Sequence, residues 1–254
     1  MYVMETCYII RVSEIFLKGK NRSLFQKCLK RNIRAALQAN NVEADLVDLR
    51  NRILLYTEKD CSFLKDVFGI ANYSRAVVVS SDLSAIKEKI KSLWKGSVFK
   101  IETTRLDKKF PLSSIEVNKE VGAFLGGKVS MKEYKEWFGI EIDKGQAFLF
   151  FEKVSCYGGL PVGSEGNVDV LVQEKNSLKA AWLMLRRGCA VTFFGGEIDA
   201  SSLEKFSYGI PIRFAKVLNG EVVVVNDTID ALQEYNFPVV FRPLIGYALE
   251  EIPI

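Results

Sequence analysis

The chain contains no histidine among its 254 residues. That absence removes imidazole acid/base catalysis, a Ser-His-Asp triad and any His-ligated metal. Carboxylates, Lys, Tyr, Ser and Cys are left to carry whatever chemistry exists. Cysteine is sparse as well: five residues, an odd number at irregular spacing with no Cys-x-x-Cys pair, read as reduced thiols. Neither a disulfide framework nor a metal site is expected. Long apolar runs are missing too. Segments such as Ala147–Phe151, Val168–Val172 and Val222–Val225 fall far short of the roughly 20 residues that cross a bilayer, so no membrane contact is expected. The opening stretch MYVMETCYIIRV has neither the basic lead-in nor the apolar length of a signal peptide, which makes a cytoplasmic location the expectation.

What is present is ordinary globular material, 48% hydrophobic, enough for cores in two or three small domains. The net charge of +4 conceals an asymmetry: basic residues are in excess over positions 1–160 and acidic ones over 161–254. A polyanionic partner would therefore meet the N-terminal part.

Periodicity divides the chain further. Tyr8 to Val12 reads as a strand, and a helix is predicted from about Leu24 to Ala39, with Ser23 and Gln26 as its capping box. Phe25, Cys28, Leu29, Asn32, Ile33, Ala36 and Leu37 give that helix a buried stripe. Lys27, Lys30, Arg31 and Arg34 recur on its other side. Asp45 to Tyr56 reads as a hairpin turning at Asn51, completing a small α+β unit. Beyond it, Asp60 to Phe68 and Ser84 to Trp94 are helical by pattern, whereas Ala76 to Val79, Val98 to Glu102 and Ala147 to Glu152 are strand-like. Ser113 and Glu116 offer a second capping box. The connecting stretch KIETTRLDKKFPLSS places Lys100, Arg105, Lys108 and Lys109 among Phe99 and Phe110.

The glycine-rich YGGLPVGSEGN reads as a linker. After it come a strand over Val168–Val172, a helix from Ser177 to Arg187 stopped by Gly188, and a strand over Ala190–Phe194, together a βαβ unit. Leu178, Ala181, Trp182 and Leu185 form the helix's buried face, and Cys189 reads as a core thiol. Glu221–Val225 is a predicted strand, Ile229–Tyr235 a predicted helix, and FPVVFRPLIG a further strand candidate. Arg242 within it is a candidate cleft residue.

Two stretches are specific enough to carry a resemblance. IIRVSEIFLKGKNRSLFQKCLKRNIRAAL resembles the N-terminal ferredoxin-like module of the tRNA sulfurtransferases that make 4-thiouridine, and FKIETTRLDKKFPLSSIEVNKEVGAFL resembles the core of their THUMP domain. GGLPVG, AAWLMLRRGC and FRPLIG continue the likeness in order. The resemblance implies an α+β ferredoxin-like module over 1–60, an α/β THUMP RNA-binding domain over 61–158, and a reduced α/β domain of PP-loop, adenine-nucleotide-hydrolase type over 159–254. It also implies tRNA as partner; the third domain is expected to be structural or to dock a second partner, an active tRNA-modification enzyme. On the residues alone the cations have an ordinary reading as a solvated face; because the resemblance covers them, it implies RNA contact at Lys18, Lys20, Arg22, Lys27, Lys30, Arg31, Arg34, Lys100, Arg105, Lys108, Lys109 and Phe110.

In that family the loop after the first strand of the third domain reads Ser-Gly-Gly-(apolar)-Asp-Ser. Aligned back from AAWLMLRRG, it falls on Val172, Gln173, Glu174, Lys175, Asn176 and Ser177, where only the last serine is kept. Glycines let successive N–H groups close round a pyrophosphate. Side chains at both positions, one a carboxylate, predict a degenerate nucleotide loop, with Ser177 serving as helix N-cap. The resemblance further implies a fuller domain, with a sulfur-handling cysteine, between RRGC and FRPLIG; here the intervening stretch is short and no cysteine follows Cys189. The leading expectation is a tRNA-binding protein without catalytic residues or cofactor of its own. Two alternatives stand beside it: a divergent sulfurtransferase using ATP and Mg at a remodelled site, and a non-catalytic homodimeric scaffold.

Overall fold

The structure, a computed structural model, describes residues 6–13, 21–49, 52–218 and 220–254. Lys18, Lys20 and Asn51 lie outside these. The described residues divide into two compact units, one drawn from Met1–Ile10, Ala44–Lys59 and Tyr73–Val154, the other from Arg11–Glu43, Asp60–Asn72 and Ser155–Ile254.

The chain opens with β1 (Thr6–Val12) and α1 (Arg22–Ala39), then β2 (Asp45–Leu49) and β3 (Arg52–Tyr56), an antiparallel pair as the hairpin pattern predicts. There follow β4 (Ile70–Ser80), α2 (Leu83–Leu93), β5 (Phe99–Arg105), α3 (Ser114–Leu125), β6 (Glu136–Asp143), β7 (Gln146–Phe150) and β8 (Val154–Ser155). The strands form one sheet in the order β2-β3-β1-β4-β7-β6-β5, with β8 paired to β4. Asp60–Phe68, predicted helical, makes only a short 3-10 turn over Ser62–Asp66. The strand β6, which the sequence patterns above do not single out, alternates Phe138, Ile140 and Ile142 with Gly139 and Glu141 and is buried on both faces. One face packs Phe138, Ile140 and Ile142 against α2 and α3, and the other packs Trp137 toward Phe148 and Phe150. Gly139 is the residue that lets Phe150 lie across the sheet, since a Cβ there would stand 2.2 Å from its ring.

Capping chemistry holds in one predicted case and fails in the other. Ser113 accepts from the Glu116 N–H while the Glu116 carboxylate accepts from the Ser113 N–H, a complete box opening α3. The Ser23–Gln26 box does not form. Helix α1 begins at Arg22 behind Asn21, so Ser23 already lies inside the first turn and no side chain caps the helix.

In the second unit, β9 (Asn167–Leu171), α4 (Asn176–Arg186), β10 (Ala190–Phe194), α5 (Ser201–Glu204), β11 (Arg213–Ala215), β12 (Val222–Val224) and β13 (Val239–Phe241) complete the chain. Their sheet runs β11-β10-β9-β12-β13, and all four pairings are parallel. Gly188 stops α4 as predicted, with φ +92° and the Cys189 N–H turned back to Met184 O. Trp182 is core, edge-on to Phe68 at 5.3 Å and to Tyr157 at 5.5 Å. The glycine-rich stretch is no slack linker: Leu160 N–H donates to Arg186 O, Gly163 N–H to Gly188 O, and Val162 is 1% exposed. Helix α1 docks in this same unit by its predicted stripe, with Asn32 buried and its amide donating to Val162 O at 3.1 Å.

Residues 229–235 are not the helix that their spacing predicts. The chain turns at Thr228–Ala231 and continues without regular secondary structure, leaving Ile229 and Leu232 more than half exposed. The Gln233 N–H and the Tyr235 hydroxyl are instead drawn to the carboxylate of Asp227, at 3.1 and 2.6 Å.

Candidate nucleic-acid interface and nucleotide crevice

Arginines and lysines that look alike in the sequence divide sharply in the structure. On α1, Lys27, Arg31 and Arg34 are exposed, while Arg22 and Lys30 are half-buried. Arg31 is spent on the fold: its Nη2 donates to Val162 O at 2.8 Å and its Nε to Asn32 Oδ1 at 3.1 Å. On the loop between β5 and α3, Lys108 and Lys109 are exposed. Arg105 supports them instead of joining them, its Nη1 donating to Phe110 O at 3.1 Å and Leu112 O at 2.8 Å. The ring of Phe110 packs toward the core beneath α3. This loop offers charge but little open aromatic surface.

Lys100 lies at the other end of β5, about 17 Å from Arg105 at the usual strand rise. It pairs with Glu102 at 3.5 Å and sits 5.7 Å from the Tyr134 ring. The β5-to-α3 cations and Lys100 thus mark two ends of one strand, not one patch.

The second site is the loop between β9 and α4, at the carboxyl ends of parallel strands, where ligands of such sheets normally sit. Here the chain fills it. Ser177 is not the helix cap: Lys175 holds that place, without a side-chain bond. The Ser177 hydroxyl, fully buried, accepts from Gln173 N–H and donates to Leu171 O, both at 3.1 Å, while its own N–H goes to Glu174 O. Two backbone donors of a phosphate-type loop are therefore used internally. Glu174 Oε1 accepts from the amides of Asn176 at 3.0 Å and Asn226 at 3.2 Å. Gln173 Nε2 donates to the Tyr235 hydroxyl at 2.8 Å, which passes a bond to Asp227, and Arg242 Nε closes on the same carboxylate at 3.0 Å.

Asp227 is the centre of this web. Burial alone would raise its pKa, but hydrogen bonds from Tyr235, Gln233 N–H and Arg242 outweigh that and hold it below the usual carboxylate range. Arg242 also lines a cavity of about 550 Å³ with Gly159, Arg187 and Tyr247. Sequence reading singled out Arg242 but missed Asn226 and Asp227, whose only advance signal was polarity just after a predicted strand, and assigned Tyr235 to a helix end. Ser177→Ala should cost about 1–2 kcal/mol in urea denaturation, because the Gln173 N–H loses its acceptor; a neutral result would mean that the loop repairs itself.

Cys7, Cys156 and Cys189 are not activated nucleophiles. Burial first, with a nearby carboxylate second, pushes Cys7 and Cys156 up to about 12. Cys189 is raised to about 11, mainly by burial, and is 7% exposed, a core thiol as predicted.

The chain matches the ThiI ferredoxin-like domain over residues 7–74 and the THUMP domain over residues 81–152, which makes it a THUMP-domain protein of ThiI type. More particularly, its curated homologues are named probable tRNA sulfurtransferases. The protein from Mycoplasmopsis synoviae is 35% identical over 73% of this chain and 50% of its own length. The one from Methanocaldococcus jannaschii is 34% identical over 78% and 57%, and that from Thermotoga maritima 32% over 81% and 60%. The chain thus spans from about half to three fifths of these relatives' length. Among solved structures, PH1313 from Pyrococcus horikoshii superposes with a TM-score of 0.83 at 28% identity, covering 97% of both chains. A 4-thiouridine synthetase solved as an RNA complex with bound ATP gives 0.66 at 28% identity, over 82% of this chain and 61% of that one. The expected architecture of ferredoxin-like, THUMP and PP-loop-type α/β parts stands.

Proposed function

We propose that this chain binds tRNA through its ferredoxin-like and THUMP parts and that its C-terminal α/β part does not hold ATP or thiolate RNA itself. In this reading the three modules follow one another over 1–60, 61–158 and 159–254, and a separate tRNA-modification enzyme acts on the RNA that the chain presents. One observation carries the division of labour: the nucleotide crevice is filled by Gln173, Glu174, Asn226, Asp227, Tyr235 and Arg242, while Lys27, Arg34, Lys108 and Lys109 remain exposed. A triphosphate would have to displace the Glu174 carboxylate from two amides and recover donors already committed to Ser177 and Glu174 O. The Gln173 and Ser177 N–H groups are engaged within the loop, and side chains stand where glycines would let the backbone close round an anion.

Support for RNA comes from the THUMP match and from the structural neighbour solved with RNA. Bulk-tRNA binding is expected to weaken steeply with salt, and Lys108→Glu with Lys109→Glu should make the slope shallower by about two, one counterion per lost contact. Unchanged binding in that variant would remove the loop from the interface. The competing reading, a sulfurtransferase with a remodelled ATP site, draws on the names of the relatives. Calorimetric titration with Mg-ATP separates the two: no heat is expected, and a micromolar dissociation constant would sink the non-catalytic reading.

A further inference from the structure

The end of the first sheet away from the Lys108 loop combines what that loop lacks. Here α2 ends, β5 and β6 begin, and β7 runs out, leaving a cavity of about 400 Å³ lined by Lys95, Lys135, Trp137, Phe138 and Phe151. Phe151 stands edge-on to Phe138 at 5.6 Å and is 40% exposed, unusual for a ring that size with a core beside it. Lys153 Nζ lies 4.8 Å over the Trp137 ring, and Lys100 and Tyr134 extend the patch along the same rim. Two of the carboxylates at this end, Glu136 and Glu102, are engaged. Glu136 accepts from the N–H groups of Lys95 and Ser97, both at 3.0 Å, which fixes the loop carrying Lys95. Glu102 is shared between Lys100 and Lys153 at 3.5 and 4.0 Å, leaving Lys95 and Lys135 exposed.

We propose that this end of the sheet is a binding site for an unpaired nucleotide of RNA, the base against Phe151 and the flanking phosphates on Lys95 and Lys135. The inference rests on the RNA-binding reading and deepens it. The chemistry discriminates. A duplex presents phosphates but keeps its base faces stacked and covered, whereas an unpaired base offers a π-face to an exposed ring and fits a cavity of this size. Lysines around aromatic surface suit stacking with charge neutralisation on both sides of the base. The Lys108 loop would then be a phosphate contact at the far end of the same strands, and the two points would read a strand running along β5.

The test is fluorescence anisotropy with an oligoadenylate hexamer and with bulk tRNA. It compares wild type, Phe151→Ala, Lys95→Glu with Lys135→Glu, and Lys108→Glu with Lys109→Glu, with thermal melts as a folding control. Phe151→Ala should weaken the hexamer about tenfold with its salt slope unchanged, the size typical of one lost stacking platform. Reversing Lys95 and Lys135 should lower the slope by about one to two. Wild-type affinity in both of these variants, with only the Lys108 and Lys109 reversal impaired, would overturn the nucleotide site and leave the RNA reading intact. Failure of the wild-type protein to bind tRNA at low salt would overturn both.

Discussion

Gly159→Ala is expected to destabilise the second unit by about 3 kcal/mol or more, a fall in melting temperature of roughly 6–12 °C. Two separate costs converge on this position. Gly159 has φ +72°, a left-handed conformation that charges alanine about 1–2 kcal/mol. A Cβ there would also stand 2.2 Å from the carbonyl oxygen of Arg186. That oxygen cannot step aside cheaply, because it accepts the Leu160 N–H at 2.9 Å and belongs to the last turn of α4. Gly126 makes the comparison clean: φ is +70°, yet nothing lies within 4 Å of its Cβ position. Gly126→Ala should show the conformational cost alone. If the two variants melt together, the close approach at Arg186 is absorbed by the loop and the argument fails.

Asp227→Ala is the other large effect. The carboxylate is 3% exposed and serves three donors, so its removal strands the Tyr235 hydroxyl, the Gln233 N–H and the Arg242 guanidinium. Because Arg242 is itself 30% exposed and can turn to water, the cost should be about 2–4 kcal/mol, below that of breaking a fully buried pair. It should also depend on pH. A carboxyl whose folded pKa is depressed adds stability above its unfolded pKa, near 4, and loses it as pH falls through the folded value. Urea denaturation should therefore show wild type and variant far apart at pH 7 and converging below about pH 4. A gap that stays constant to pH 2.5 would mean that Asp227 is not the group that organises the crevice.

Local chemistry was legible in the sequence, and tertiary spending was not. The stripe from Phe25 to Leu37 is buried residue for residue as its period predicts, and Ser113 with Glu116 form their box, whereas Ser23 with Gln26 do not because α1 already starts at Arg22. The strand β6 alternates Phe138, Ile140 and Ile142 with Gly139 and Glu141, but the burial of Glu141 against Arg52 is a pairing that the sequence does not display. The predicted helix at 229–235 lost to a single carboxylate two residues upstream. For the sites, the sequence displays each cation but not its use: Arg31 and Arg105 both donate to main-chain carbonyls, a role that any exposed-looking arginine can be drafted into. The missing glycines at Gln173 and Glu174 could be read directly, whereas the web that fills the crevice joins residues as far apart as 173 and 235 and exists only once parallel strands align.

The docking of α1 has a consequence for how such a chain can change over generations. The helix that carries Lys27 and Arg34 buries Asn32 against Val162 O and anchors Arg31 to the same carbonyl, inside the unit built from 155–254. Phe68, from the segment between β3 and β4, is likewise stacked on Phe206 and edge-on to Trp182. A deletion of the C-terminal part would strip those surfaces bare, so packing alone, independent of any chemistry in the crevice, holds the chain to keep this domain.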